Sequence, residues 1–289
     1  MTTVDIVMRT KDRPVFVRRA LADILAQTFA DWTLIIVNDG GDLAELEAVV
    51  AEFPDLGERV RYVDLPASSG RGASVMPGVD AGDSPLVNWH DDDDTWHPEF
   101  LARTVEHLQN SDDIAVDVRT DIVWERLDGD HFVETGREIF HPVMPQTLYF
   151  DMLRFNHCVP ISKLYRRSAH DLIGPTDSRL RSVVDWEFNQ RLMLAGEVGF
   201  IDEVLAHWHQ RPGVSGVAGN SVNAERGSHY IFDRRVRDEL LRAYVAEQGA
   251  GDLLHMSTFV EERFIEVGSR LASIEQRYAE ILTELKRPF

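Results

Sequence analysis

The chain has 289 residues, 44% of them hydrophobic, enough for one large domain or one domain with an appendage around a sizeable core. Its 30 basic and 49 acidic residues give a formal charge of −19, which argues against nonspecific binding to nucleic acid or to an anionic membrane surface. A single cysteine, Cys158, excludes an intramolecular disulfide framework and a thiolate zinc cluster, and reads as a buried small hydrophobe rather than a nucleophile. No positively charged stretch ahead of an apolar segment opens the sequence and no apolar run is long enough to span a bilayer, so a cytoplasmic protein is expected.

Short apolar strands alternate with amphipathic helices through roughly the first hundred residues, the pattern of a parallel α/β sheet. Val4 to Met8 reads as the first strand, a polar turn runs from Thr10 to Pro14, and Val15 to Gln27 places Val17, Ala20, Leu21, Ile24 and Leu25 on one helical face. The β-favouring run Thr33 to Val37 is the second strand, closing at Asn38-Asp39-Gly40-Gly41-Asp42, at a carboxyl end where open α/β sheets bind ligands. A helix over about 43 to 53, a strand over 60 to 63 and a helix from Ser68-Ser69-Gly70-Arg71-Gly72 to about Ala81 follow. The strand ends after Met8, Val37 and Trp89 converge on one edge of the sheet, the expected cleft.

Asn88-Trp89-His90 leads into the consecutive carboxylates Asp91, Asp92, Asp93 and Asp94, and Thr95-Trp96-His97-Pro98 leads out towards a helix. Adjacent anions repel one another, so a folded domain keeps them only where water or a cation offsets the charge. A divalent ion suits that place, because Mg²⁺ binds through one or two carboxylates with phosphates completing its shell. A solvated acidic loop is the plainer alternative. The strand before the run and the tryptophans bracketing it favour a site.

Three ordered blocks carry a family resemblance. Asp5 to Pro14 and Gln27 to Gly40 resemble the opening of family-2 glycosyltransferases with the GT-A fold; the Asp run with Trp96 and Pro98 is similar to that family's metal motif; and Val184-Asp185-Trp186-Glu187-Phe188, followed by Ile201 to Leu205, resembles the segment carrying the catalytic base. His90, Val184 and Met76-Pro77-Gly78 depart from the family's usual residues, and the last puts a sugar-contacting role for that helix in doubt. The resemblance covers about residues 3 to 215 and implies a mostly parallel GT-A sheet flanked by helices over residues 1–220, with a helical extension over 221–289.

It also implies an inverting, metal-dependent transfer of a sugar from a nucleoside diphosphate, UDP or dTDP before others, to an acceptor hydroxyl on a glycan or lipid-linked chain, with Mn²⁺ or Mg²⁺ acting as a Lewis acid on the leaving diphosphate. A protein of this kind is cytoplasmic, or peripheral to a membrane through its acceptor. By the resemblance Asp91 lies near the ribose, Asp93 ligates the metal, Asp39 hydrogen-bonds the base and Thr10 and Arg13 line the nucleoside pocket. Asp92 and Asp94 either join them or orient the loop. Asp39 has an alternative as an Asx turn, and Arg71, near a helix N-terminus, is a candidate diphosphate contact or a plain surface arginine. Asp185 is the candidate general base, desolvated by Trp186, with Glu187 the competing assignment. In Ala206 to Ser215, Arg211 is a phosphate candidate, and His207 or His209 a third metal ligand. The two histidines are taken to face opposite sides of a strand, with His209 preferred.

Beyond about residue 220 the pattern becomes continuous helix, and Val260, Phe264, Val267, Leu271, Ile274, Tyr278, Ile281 and Leu285 repeat in alternating steps of four and three, a heptad seam that suits a homodimer or packing within the chain. Two other classes are weighed. A sugar nucleotidyltransferase calls for a glycine-rich basic loop after the first strand, where Arg9 to Pro14 has no glycine; a noncatalytic nucleotide-sugar-binding protein would lack the base.

Overall fold

The computed structural model describes residues 3–144, 146–220 and 226–285, with the side chains of Arg71, Val217, Arg226 and residues 283–285 excepted. It divides into two compact units, 1–233 and 234–289. The sequence reading places the boundary at 220/221; the division falls inside a helix that starts at Arg226.

In the first unit the strands β1 (Val4–Thr10), β2 (Trp32–Asp39), β3 (Val60–Leu65) and β4 (Leu86–Asp91) form the expected parallel set. The crossovers between them are the helices α1 (Pro14–Leu25), α2 (Leu43–Ala51) and α3 (Arg71–Asp80). β1 and β2 are buried almost throughout and covered on both faces, as parallel strands between helices must be. β3, at the edge, alternates exposed and half-covered residues. Pro14 opens α1 at the position where its missing N–H costs nothing, and Asp42 caps α2 by accepting from Ala44 and Glu45.

Past β4 come the two-residue strand β5 (Thr95–Trp96), helix α4 (Phe100–Gln109), the long strand β6 (Ala115–Asp128), β7 (His131–Ile139), the short helix α5 (Tyr149–Met152), β8 (Lys163–Arg166), helices α6 (Ala169–Ile173) and α7 (Val184–Ala195), and β9 (Val198–Gln210). The sheet runs β3-β2-β1-β4-β8-β6-β9-β5, with β7 paired to β6. β8 is antiparallel to both β4 and β6, so the sheet changes direction next to β4, where Leu86 and Val87 pair with Arg166 and Tyr165. Trp96 fixes the far side of the Asp run: its ring stacks on Phe100 and its indole N–H donates to the Ile161 carbonyl at 2.7 Å.

The second unit holds most of α8 (Arg226–Gln248) and all of α9 (Gly251–Leu285). The expected continuous helix is interrupted at Gly249, whose φ of 81° ends α8 in a conformation glycine adopts without strain. No helix among the described residues is long and apolar enough to cross a membrane.

Candidate active site

A cavity of about 230 Å³ opens at the carboxyl ends of β1 and β4, lined among others by Arg9, Arg13, Trp89, Asp91, Asp93, Phe140, Asn156, Val183, Asp185 and Trp208. The wall thus combines the ends of β1 and β4, the start of α7 and residues of the β6–β9 half. Asp91, Asp93 and Asp185, chosen from distant stretches of sequence, meet in it.

Asp185 sits in the first turn of α7. The residue before that helix, Val183, has φ 57° and ψ 23°, a left-handed conformation that a β-branched side chain resists. The carboxylate Oδ2 accepts from Asn156 Nδ2 at 2.5 Å, and the amide is oriented by the Cys158 N–H donating to Asn156 Oδ1 at 3.3 Å. Withdrawal from solvent, and then the negative charge of Asp91, push Asp185 up to about 6, against the hydrogen bonds that favour its ionised form. The competing carboxylate, Glu187, is held in a two-point ion pair by Arg191, at 2.6 and 2.8 Å, and does not line the cavity. Cys158 is buried as expected, with its thiol donating to Asp117 at 3.1 Å; burial pushes it well above the usual thiol range.

The Asp run is closed by arginines. Arg13 donates to Asp92 Oδ1 at 2.5 Å and to Asp93 Oδ2 at 3.0 Å, and the Thr10 hydroxyl donates to Asp92 Oδ2 at 2.6 Å. Asp93 Oδ2 also accepts from Arg211 and, at 3.3 Å, from Asn220 Nδ2. Arg211 is 0% exposed; its other nitrogen meets Glu125 Oε1 at 2.6 Å, and Glu125 Oε2 accepts from Arg19 at 2.7 Å. Burial would raise Glu125, but His209 and Arg19 bind its carboxylate and bring it down to about 2. Burial also pushes Asp94 well above the usual carboxylate range, aided by Asp93 and Asp91, and its Oδ1 accepts the His209 backbone N–H at 2.9 Å. Asp91 differs from its neighbours. Its side chain is 30% exposed and lies 3.6 Å from Arg9.

Several expected roles change in this geometry. His207 and His209, two apart on β9, lie on one face of the strand rather than on opposite faces, since the side-chain period of a strand is two. His207 Nδ1 is 2.7 Å from Asp121, while His209 has Glu125 at 2.8 Å on Nδ1 and Thr95 at 2.8 Å on Nε2; neither lines the cavity. His209 therefore presents no open nitrogen to an ion, and Arg211 is turned onto Asp93 and Glu125 rather than out towards a phosphate. Asp39 accepts from Ser69 N at 2.7 Å, Ser69 Oγ at 3.0 Å and Ser68 Oγ at 3.1 Å, which fastens the loop before α3; the turn at Gly41 is made by Asn38 instead. The side chain of Arg71 lies outside the described residues. Among the described residues no three His, Cys, Asp or Glu side chains are gathered as an ion site. Glu125, Arg19, Asn156 and Asn220 escaped the sequence reading because no motif or spacing singles them out; only the fold brings Glu125, Arg19 and Asn220 to the network around the Asp run and Asn156 to Asp185.

The profile of glycosyl transferase family 2 matches residues 5–174, more than half of the chain, leaving Asp185 and Arg211 beyond the matched stretch. Among curated relatives, the uncharacterized glycosyltransferase YwdF of Bacillus subtilis (strain 168) is 28% identical over 188 residues, 65% of this chain and 67% of that protein. S. aureus TarS 1–349, solved in complex with UDP-GlcNAc, superposes with a TM-score of 0.59 at 13% identity over 86% of this chain and 74% of that one; in a further TarS 1–349 structure the match spans 60% of the solved chain. The mannosyltransferase PcManGT of Pyrobaculum calidifontis, in complex with GDP-Man and Mn²⁺, superposes with a TM-score of 0.58 at 14% identity over 94% of this chain and 80% of that one. At these identities the structural likeness shows the GT-A fold.

Proposed function

Since the chain belongs to glycosyl transferase family 2 and is a glycosyltransferase, we propose that it transfers one sugar from a nucleoside diphosphate to an acceptor hydroxyl by direct displacement, with inversion, in glycan or polysaccharide synthesis. The observation that carries this reading is the meeting of Asp91 and Asp185 across one cavity at the carboxyl ends of β1 and β4. Asp185 takes the proton of the acceptor hydroxyl as that oxygen bonds to the anomeric carbon, and the bond from that carbon to the diphosphate breaks with its electrons leaving on the phosphate oxygen. Asn156 holds the carboxylate in place for this step.

Asp91, the most open of the four aspartates, is assigned to the donor's ribose, while Thr10, Asp92 and Asp39 shape the pocket from behind through their own hydrogen bonds. Arg9 lines the cavity and is assigned to the diphosphate; Arg13 lines it too, with its terminal nitrogens on Asp92 and Asp93, and adds its positive charge to that wall. UDP or dTDP is the expected nucleotide, and the neighbours solved with UDP-GlcNAc and GDP-Man support a nucleotide sugar as the class. PcManGT was solved with Mn²⁺, which supports a divalent ion on this fold. In this chain the fit to such an ion fails at Asp93, which Arg13, Arg211 and Asn220 hold, and at His209, so no step above is routed through one.

Asp185→Asn tests the assignment: the amide is nearly isosteric and cannot take a proton, so the variant is expected to lose transfer and keep donor affinity. An active Asp185→Asn beside an inactive Glu187→Gln would exchange the two roles.

A further inference from the structure

The Asp run poses an electrostatic problem that this chain solves with its own side chains. Asp92, Asp93 and Glu125 face Arg13, Arg19 and Arg211, three carboxylates against three guanidinium groups in one connected network. A guanidinium keeps its charge and offers five donors in a fixed fork. Arg211 has no exposed surface, and its two terminal nitrogens are committed to Asp93 and Glu125. An ion reaching Asp93 Oδ2 would have to displace this group and set two further positive charges beside Arg13 and Arg211 in a poorly screened site.

We propose that Arg13 and Arg211 take the place of a divalent cation at Asp93, so that nucleotide-sugar binding and transfer proceed without a divalent metal, the charge on the diphosphate being met by guanidinium groups. This rests on the transferase reading and adds a commitment about its chemistry. Arg13 is the hinge of the arrangement, since it both neutralises Asp92 and Asp93 and lines the cavity beside Arg9. Planar guanidinium forks suit phosphate oxygens and remain charged at every pH the enzyme meets.

The test is a titration of the full-length wild-type chain with Mn²⁺, followed by the electron paramagnetic resonance signal of the free ion, with UDP or GDP present, alongside calorimetry of each nucleotide in EDTA and in Mn²⁺. The expected result is no stoichiometric Mn²⁺ held by the protein, and nucleotide dissociation constants equal within about twofold in the two buffers. One Mn²⁺ retained per chain, with nucleotide binding tightened about tenfold or more, overturns the proposal and leaves the transferase reading standing. No nucleotide bound in either buffer overturns both. Arg211→Ala and Arg13→Gln each remove one of the two guanidinium groups on Asp93, and each is expected to raise Mn²⁺ affinity above the wild type, most in the double variant; the wild-type titration decides even where a variant does not fold.

Discussion

In the proposed role of Asp185 as general base, its environment would set the pH range of transfer. The group acts as a base only when ionised, and withdrawal from solvent together with Asp91 puts its midpoint at about 6. The transfer rate should therefore fall about tenfold per pH unit below about 6 and level off above it, whereas an unperturbed aspartate would hold the rate down to about 4. A pH–rate profile of the wild type checks this, and a flat profile through 5 would remove Asp185 from the role. Its segment stood out in the sequence through a resemblance to the family's base-carrying block, although position 185 lies beyond the matched residues 5–174. Its partner Asn156 did not, since no spacing links position 156 to 185, and the amide matters only because the segment before β8 is folded against the start of α7.

Among the elements, the parallel half of the sheet was legible strand by strand, each strand ending two residues past its expected end. β1, β2 and β4 announced themselves as apolar runs bounded by turn residues, and their ends meet where the alternation of strand and helix said they would. The β6–β7 hairpin and the antiparallel insertion of β8 were not read, because β8 has only four residues and β6 changes partners along its length. In helix α3 the departure lies at Met76 and Pro77, while Gly78 keeps the usual glycine and faces the sheet, where an added Cβ would lie 2.4 Å from Val7 Cγ1 and 2.7 Å from Val37 Cγ2. Both neighbours are stiff branched side chains. Gly78→Ala should cost about 1–3 kcal/mol through overpacking, measured by urea unfolding. A variant as stable as the wild type would show that α3 does not bear on β1 and β2 so closely.

On the scale of the whole molecule, the unit after residue 233 carries the heptad seam, and its described members are exposed: Leu271 is 55% exposed and Ile274 62%. Arg263, Arg270 and Arg277 recur at seven-residue intervals on one flank of the seam, with Glu261 and Glu275 on the other. In a parallel pair of α9 helices this spacing sets Arg270 against Glu275 of a second copy, whereas an antiparallel pair matches like with like. A homodimer is accordingly expected, dissociated by charged substitutions at Leu271 and Ile274 that leave nucleotide binding by the first unit intact. Light scattering checks it, and a wild-type monomer at tens of micromolar would contradict it.

The proposed function places both nucleotide-sugar binding and cleavage of the glycosyl bond in one cavity. The most direct measurement is release of nucleoside diphosphate from a panel of UDP-, dTDP- and GDP-sugars by the wild-type chain, followed by mass spectrometry with and without candidate glycan acceptors. The account predicts turnover of one nucleotide class, accelerated by an acceptor. Intact donors across the whole panel, with no nucleotide bound, would contradict it.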